Sequence, residues 1–318
     1  MRTRGVISMR RTFYSVSFRA LSGASPEIEF RECAALLLPP TLLSQTKKGD
    51  AAMVDEIKSV GEYLSAILPY QQRALAQIHR FGHDRPALLF RGKKEKKLLR
   101  ATIAEKVKGV SCPIAFERER LSFLKRRLAI NGSDWDIVAI AQHHSIATRF
   151  LDWTSNSLTA LWFALGRPEG QYTKTGASEV WLLETTESDF DIPDEEKSPV
   201  PDHKGSKTVI FTPNLIDCRM SAQDSYLMRQ VYEHLEPDNK KLGIRPADEN
   251  PTFAGRLHKI RITNNSTVRM LLLNELATYG YDKSHILPDS NDSRISGWDQ
   301  IRTQCDNLAK YFNFNKED

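Results

Sequence analysis

Apolar residues recur at helical spacing in several separated stretches, with short unbroken apolar runs between them. Ile57, Val60, Leu64 and Ile67 predict a helix over 54–67, broken by Pro69. Leu121, Leu124 and Leu128 put one apolar side on a helix over 117–128. Ser133, with Asp136 three residues on, caps a helix whose face carries Trp135, Val138, Ala139 and Gln142. Ser155 or Asn156 caps another that runs to Leu165 and closes at Gly166. Pro213 starts a helix or turn, and further helices are predicted over 268–279 and 298–307. The short apolar runs read as strands over 87–90, 148–153, 179–184, 208–211 and 257–262. Polar stretches over 187–207 and 233–255 predict loops. Strands scattered among helices, without regular alternation, predict an α+β fold: a central mixed or antiparallel sheet with flanking helices.

Composition narrows the partners. No apolar run approaches the roughly 18–20 residues of a membrane span, so no membrane partner is expected. Cys33, Cys112, Cys218 and Cys305 are far apart and form no C-x-x-C pair. That argues against a zinc ribbon or a disulfide scaffold and predicts a cytoplasmic protein with no metal site. Five arginines precede the first acid, Glu27, in a Ser-rich stretch. A basic, disordered extension is therefore expected over 1–52, followed by a single domain over 53–318. The extension reads as a mitochondrial presequence or as upstream residues before a natural start at Met53. The net charge of +5 resides mostly there: 1–52 carries +4 and the rest only +1. The overall field does not demand nucleic acid. Locally, 91–127 holds thirteen Lys/Arg against four Asp/Glu. This is either two solvated helix faces or an anion-facing wall for RNA, a phosphate or a protein partner.

The densest candidate chemistry lies in 141–164, AQHHSIATRFLDWTSNSLTALWFA. A core segment with this many polar groups must pair them or use them. Trp153, Leu161, Trp162 and Phe163 read as core, and Ala160 and Ala164 let their helix pack closely on the sheet. Arg149 and Asp152 are three apart on a strand and point to opposite faces, so each needs another partner. Arg91 is the obvious one for Asp152. It ends a short strand beside Gly92, where its guanidinium can grip a phosphate or carboxylate and the glycine lets a ligand approach the backbone. The pair is either a buried tie between strands or part of a ligand site. His143 is a candidate general base. It points about 100° away from His144 on a helix, so the two do not share a metal. No G-x-S-x-G, P-loop or G-x-G-x-x-G is present.

LLFRG at 88–92, ERERLSFLKRR at 117–127, the Q-H-x-x-x-x-T-R-x-L-D-W-T core within 141–164 and RMSAQDSYL at 219–227 occur in the order of the FRG-domain family. KIRITNNSTVRMLLLNEL and the following ILPD extend the resemblance, which covers about 57–301. The chain departs from that pattern at Lys93, where a glutamine is usual, and at Ser225, where the Q-x-G-x-F motif has glycine. A second, partial resemblance is to the three-part pattern of ADP-ribosyltransferases. It implies NAD as cofactor, with Arg91 on the pyrophosphate or ribose, Thr154 bracing the ribose and Gln223 at the usual glutamate position. A glutamine supplies hydrogen bonds but no charge, so the mapping implies NAD binding more firmly than turnover. Two readings follow. In one, a polar cleft binds a nucleotide or other phosphate-bearing ligand, with Gln223, Thr154 and His143 as catalytic candidates and Arg91, Gly92, Arg149, Asp152 and Arg219 as ligand contacts. In the other, these residues form a structural network, and the basic 91–127 surface binds RNA or a protein.

Overall fold

The computed structural model describes residues 56–77, 85–94, 98–108, 110, 112–128, 132–166, 178–191, 198–200, 207–214, 218–235, 242–263, 265–288 and 298–313. The expected extension over 1–52 lies outside them. The described residues build α1 (Val60–Gln77), β1 (Leu88–Lys93), α2 (Ile103–Lys106), α3 (Pro113–Leu128), α4 (Asp134–His143), β2 (Phe150–Thr154) and α5 (Ser157–Leu165). β3 (Glu179–Glu184), β4 (Val209–Phe211), α6 (Cys218–Ala222), β5 (Ser225–Arg229), β6 (Tyr232–His234) and β7 (Leu242–Ile244) follow. β8 (Leu257–Arg261), α7 (Ser266–Thr278), α8 (Lys283–Ile286) and α9 (Trp298–Asn313) complete them. The fold is α+β. Six strands form one sheet in the order β4-β5-β2-β1-β3-β8, and every pairing between them is antiparallel. Among the described residues no helix is long and apolar enough to cross a membrane.

Strand alternation sorts the side chains onto two faces. Leu89, Leu151, Trp153, Leu183, Ile210 and Met228 share one, covered by Leu99, Phe190, Ala247 and Phe253 from loops and short turns. The opposite face carries two separate helical clusters. Leu88, Phe90, Val180, Leu182 and Ile260 pack under α1, α5 and α7. Phe150, Phe211 and Leu227 pack under α3, α4 and α9. The seam between these clusters runs over the β1–β2 junction.

That junction is thin. β1 makes a six-residue ladder with β3 but shares only one register pair, Phe90↔Thr154, with β2. α5 lies close over β1 because Gly92 has no side chain: a Cβ there would stand 1.9 Å from the Ala160 carbonyl oxygen and 2.5 Å from the Ala164 nitrogen. The space read from sequence as room for a ligand is thus occupied by the backbone of α5, held against the sheet by the small Ala160 and Ala164.

The caps behave as their sequences predict. Ser133 and Asp136 form a reciprocal capping box on α4, and Asn156 accepts from the Leu158 and Thr159 N–H groups at the start of α5. Other boundaries need correction. The first helix starts at Val60, where Ser59 Oγ accepts from the Glu62 N–H, and it continues through Pro69 to Gln77. Interior proline costs a helix about 3 kcal/mol. Burial of Tyr63 and Ile67 before it and Ala74 after it holds both halves on the core. The loop expected over 233–255 contains instead the hairpin β6–β7 and two short 3-10 turns. α9 extends to Asn313, past the expected end at 307.

Candidate functional site

A cavity of about 340 Å³ opens at the seam. β1 contributes Phe90, Arg91 and Gly92, and β2 contributes Asp152, Trp153 and Thr154. The end of α4 supplies Gln142, His143 and Ser145, while Ala160 and Phe163 come from α5. Arg219, Gln223, Ser225 and Leu287 close it from the C-terminal half. Eight sequence-distant positions singled out beforehand are therefore sorted sharply. Arg91, Gly92, His143, Asp152, Thr154, Arg219 and Gln223 line the cavity, and Arg149 does not.

Arg91 and Asp152 meet where the ladder fails. Arg91 Nη1 donates to the Asp152 backbone carbonyl and stands 3.6 Å from its Oδ2. The guanidinium thus caps a carbonyl that the β1–β2 ladder leaves unpaired. Its Nε is buried with no acceptor among the described residues. Burial lowers the Arg91 pKa from its ordinary value, and Asp152 offsets only part of that. The carboxylate is the more open partner, with 54% of its side chain exposed against 21% for Arg91. It is an exposed charge in a strand whose other four residues are buried.

Gln142 orients that carboxylate. Its Nε2 donates to Asp152 Oδ2 at 2.8 Å, and its Oε1 accepts from Thr148 Oγ1. Thr148 in turn accepts from the Phe150 N–H at 3.1 Å. Sequence reasoning placed Gln142 on the right helix face but gave it no role. Its signals are its place at the head of the Q-H-x-x-x-x-T-R-x-L-D-W-T run and its position ten residues before the aspartate of that run.

The turn between α4 and β2 is built by a left-handed residue. Ser145 has φ 60°, with its N–H on the Gln142 carbonyl and the Ile146 N–H on the Ala141 carbonyl. Asp224, with φ 45°, is the other described non-glycine residue in that region. Both flank the cavity. The left-handed position of the Gln223 turn falls on Asp224, not on Ser225, which opens β5 opposite Thr154. Aspartate tolerates this conformation better than most side chains. The missing family glycine at 225 is accommodated in this way.

The catalytic candidates are largely committed to architecture. Thr154 Oγ1 donates to the Gln223 carbonyl at 2.6 Å and accepts from the Asn156 N–H at 3.0 Å. Gln223 Nε2 donates to the Ile286 carbonyl at 2.9 Å, and Arg219 Nε donates to the Pro288 carbonyl at 3.3 Å. Together they tie the end of β2 and α6 to α8. His143 lies edge-on to His144, which stacks on Trp298 with ring centroids 3.7 Å apart. Among the described residues no group of three or more His, Cys, Asp or Glu is placed to hold a metal.

Arg149 stands just before β2 and does not line the cavity. Its Nε donates to Glu117 Oε2 at 2.7 Å, its Nη2 pairs with the same oxygen, and its guanidinium lies 4.7 Å over the Tyr232 ring. Burial alone would lower its pKa, but the Glu117 charge and hydrogen bond outweigh it and leave it raised. Elsewhere along 91–127 the positive charge is extensively paired. Arg100 and Lys108 meet Glu105, Lys106 and Arg120 meet Asp306, Lys125 meets Asp134, and Arg126 meets Glu119.

The FRG domain family model matches residues 86–172. That stretch supplies the Arg91, Gln142, His143, Asp152 and Thr154 walls of the cavity, while Arg219 and Gln223 come from beyond it. No curated protein and no solved structure matches the chain. The thin β1–β2 junction therefore lies within the stretch that matches the FRG domain model, residues 86–172.

Proposed function

We propose that the seam cavity binds a nucleotide or another phosphate-bearing ligand, with NAD as the leading candidate. The observation that carries this reading is Arg91. Its buried Nε has no acceptor among the described residues, its neighbouring carboxylate is half-open, and it faces a cavity that Arg219 also lines. A buried donor left unsatisfied is costly, and a phosphate oxygen supplies what it lacks. The cavity volume sits at the small end of ligand sites, which suits one nucleotide unit within it. NAD bound here brings an anionic pyrophosphate for Arg91 and a labile ribose–nicotinamide bond. Binding is better supported than turnover: the Thr154 hydroxyl and the Gln223 amide are engaged in holding the fold. The pairing along 91–127 gives the RNA alternative less support than the uncompensated sequence charge did.

The test is thermal stabilisation by NAD, ADP-ribose and ATP, compared between wild type and Arg91→Lys. Ligand that binds the native state adds stability that grows with its concentration relative to Kd. Lysine keeps the charge and loses the planar fork. The expected result is a ligand-dependent rise in Tm for wild type, lost in the variant, with the two ligand-free proteins nearly equal. A variant that is less stable alone yet gains the wild-type shift would sink the clamp role of Arg91.

A further inference from the structure

We propose that Asp152, aimed by Gln142, reads a sugar hydroxyl, so that the cavity selects ribonucleotides over their deoxy counterparts. This rests on the nucleotide reading above and names what the site recognises beyond an anion.

The inference starts from where the carboxylate stands. Phe150, Leu151, Trp153 and Thr154 are all buried, and Asp152 alone on β2 opens into the cavity. Both of its side-chain partners, Gln142 Nε2 and Arg91 Nη1, approach Oδ2. Oδ1 is left without a protein donor among the described residues. Its direction is nonetheless fixed, because Thr148 holds Gln142 and Gln142 holds Oδ2. An ionised carboxylate only accepts hydrogen bonds. The ligand group that meets Oδ1 must therefore bring a donor, and a second anion there would be repelled. Arg91, whose buried Nε has no acceptor among the described residues, makes the opposite demand, for an acceptor with negative charge. A hydroxyl at one end and a phosphate at the other is the pattern of a ribose phosphate. The same pairing of an acidic side chain with a ribose hydroxyl is used in dinucleotide-binding sheets of a different fold.

The full chain is titrated calorimetrically with AMP, 2′-deoxy-AMP, 3′-deoxy-AMP and inorganic pyrophosphate. For wild type, at least one deoxy compound is expected to bind about tenfold or more weakly than AMP, the usual scale for a hydrogen bond to a charged group. Asp152→Asn is expected to reduce that discrimination to within about twofold. In the same variant pyrophosphate binding is expected to strengthen, because no carboxylate competes for Arg91. Opposite signs for the two probes separate recognition from a loss of folding. Gln142→Ala is expected to cut the discrimination partway by freeing the carboxylate to rotate. Equal binding of AMP and both deoxy compounds by wild type, or undiminished discrimination in Asp152→Asn, overturns this proposal and leaves the nucleotide reading standing. No binding of any of the four probes overturns both.

Discussion

Two arginine–carboxylate pairs lie at β2, one on the residue just before the strand and one within it, and they differ in how their charges are met. Arg149 and Glu117 are 2% and 8% exposed, joined by two hydrogen bonds and roofed by Tyr232. Arg91 and Asp152 are 21% and 54% exposed; their charged groups meet in one 3.6 Å contact beside the Arg91 bond to the Asp152 backbone carbonyl, and the Arg91 Nε has no acceptor among the described residues. Burial lowers both arginines, but Glu117 outweighs it and leaves Arg149 raised, whereas Asp152 offsets only part of it and leaves Arg91 lowered. In the first pair the Arg149 Nε and Nη2 both meet Glu117; in the second the buried Arg91 Nε has no acceptor among the described residues. The distinction lies in partner count and solvent access, not in residue type.

The sharpest way to break this comparison is to remove one half of the sealed pair. Glu117→Ala leaves Arg149 buried and unmatched, and such losses cost about 3–5 kcal/mol. Denaturant unfolding measures it. Replacing both partners with apolar residues, Glu117→Leu with Arg149→Met, is expected to recover much of that loss. A single variant within about 1 kcal/mol of wild type would place Arg149–Glu117 in the same class as exposed pairs.

Gly92→Ala comes next and tests the seam itself. The added methyl group falls on the α5 backbone at Ala160 and Ala164, which cannot rotate aside as a side chain would. Overpacking of this kind costs about 1–3 kcal/mol. The expected outcome is a lower denaturation midpoint with unchanged m-value. A neutral substitution would show that α5 yields easily, and that Gly92 serves the cavity and not the packing.

Much of this arrangement was legible in the chain and some of it was not, for physical reasons. The Arg91–Asp152 pairing followed from strand alternation and from the need to match a charge. The close approach of α5 followed from Ala160 and Ala164, though Gly92 was assigned to the ligand when the helix needed it. Arg149 was misplaced because its partner, Glu117, lies 32 residues earlier on a helix whose charges looked solvated. Helical spacing does set Glu117 and Arg120, four residues before Leu121 and Leu124 on the buried side, apart from the exposed Arg118 and Glu119, but it does not say which buried charge meets which partner. The β6–β7 hairpin was hidden because its strands are three residues each and polar in part. Pro69 misled because the helix is held by burial on both sides of it. The Ser59 cap, with Glu62 three residues on, was a readable start signal for that helix.

A third pair sharpens the comparison through pH. Glu184 receives Arg73 Nη2 and His258 Nε2, both at 2.7 Å. Burial works to raise its carboxyl pKa, but Arg73 and then His258 outweigh it and hold it below the ordinary value. The folded state therefore gains stability from Glu184 above the unfolded glutamate pKa, about 4.3, and loses it as pH falls through the lower folded value. Arg73 is half exposed, so the effect is under about 1 kcal/mol. Glu184→Gln is expected to flatten the acid limb of the stability curve below about pH 5 and to remove a small increment near neutrality. An unchanged acid limb would mean that Arg73 and His258 are too solvated to matter.

The smallest expected effect on stability is also the one that tests the open pair most directly. Asp152→Asn keeps an oxygen that accepts from Gln142 or from Arg91, and removes only the charge. The carboxylate is half exposed, so it has given up little hydration and its loss unburdens little. Arg91 keeps its bond to the Asp152 backbone carbonyl, which the substitution does not touch. The expected change in unfolding free energy is about 0–1 kcal/mol, read from the denaturation midpoint of the ligand-free chain. A loss of about 3 kcal/mol or more would put Asp152 with Glu117, as the obligatory partner of a buried cation. The two pairs would then be the same device, and the cavity would lose its claim to a carboxylate held ready for something else.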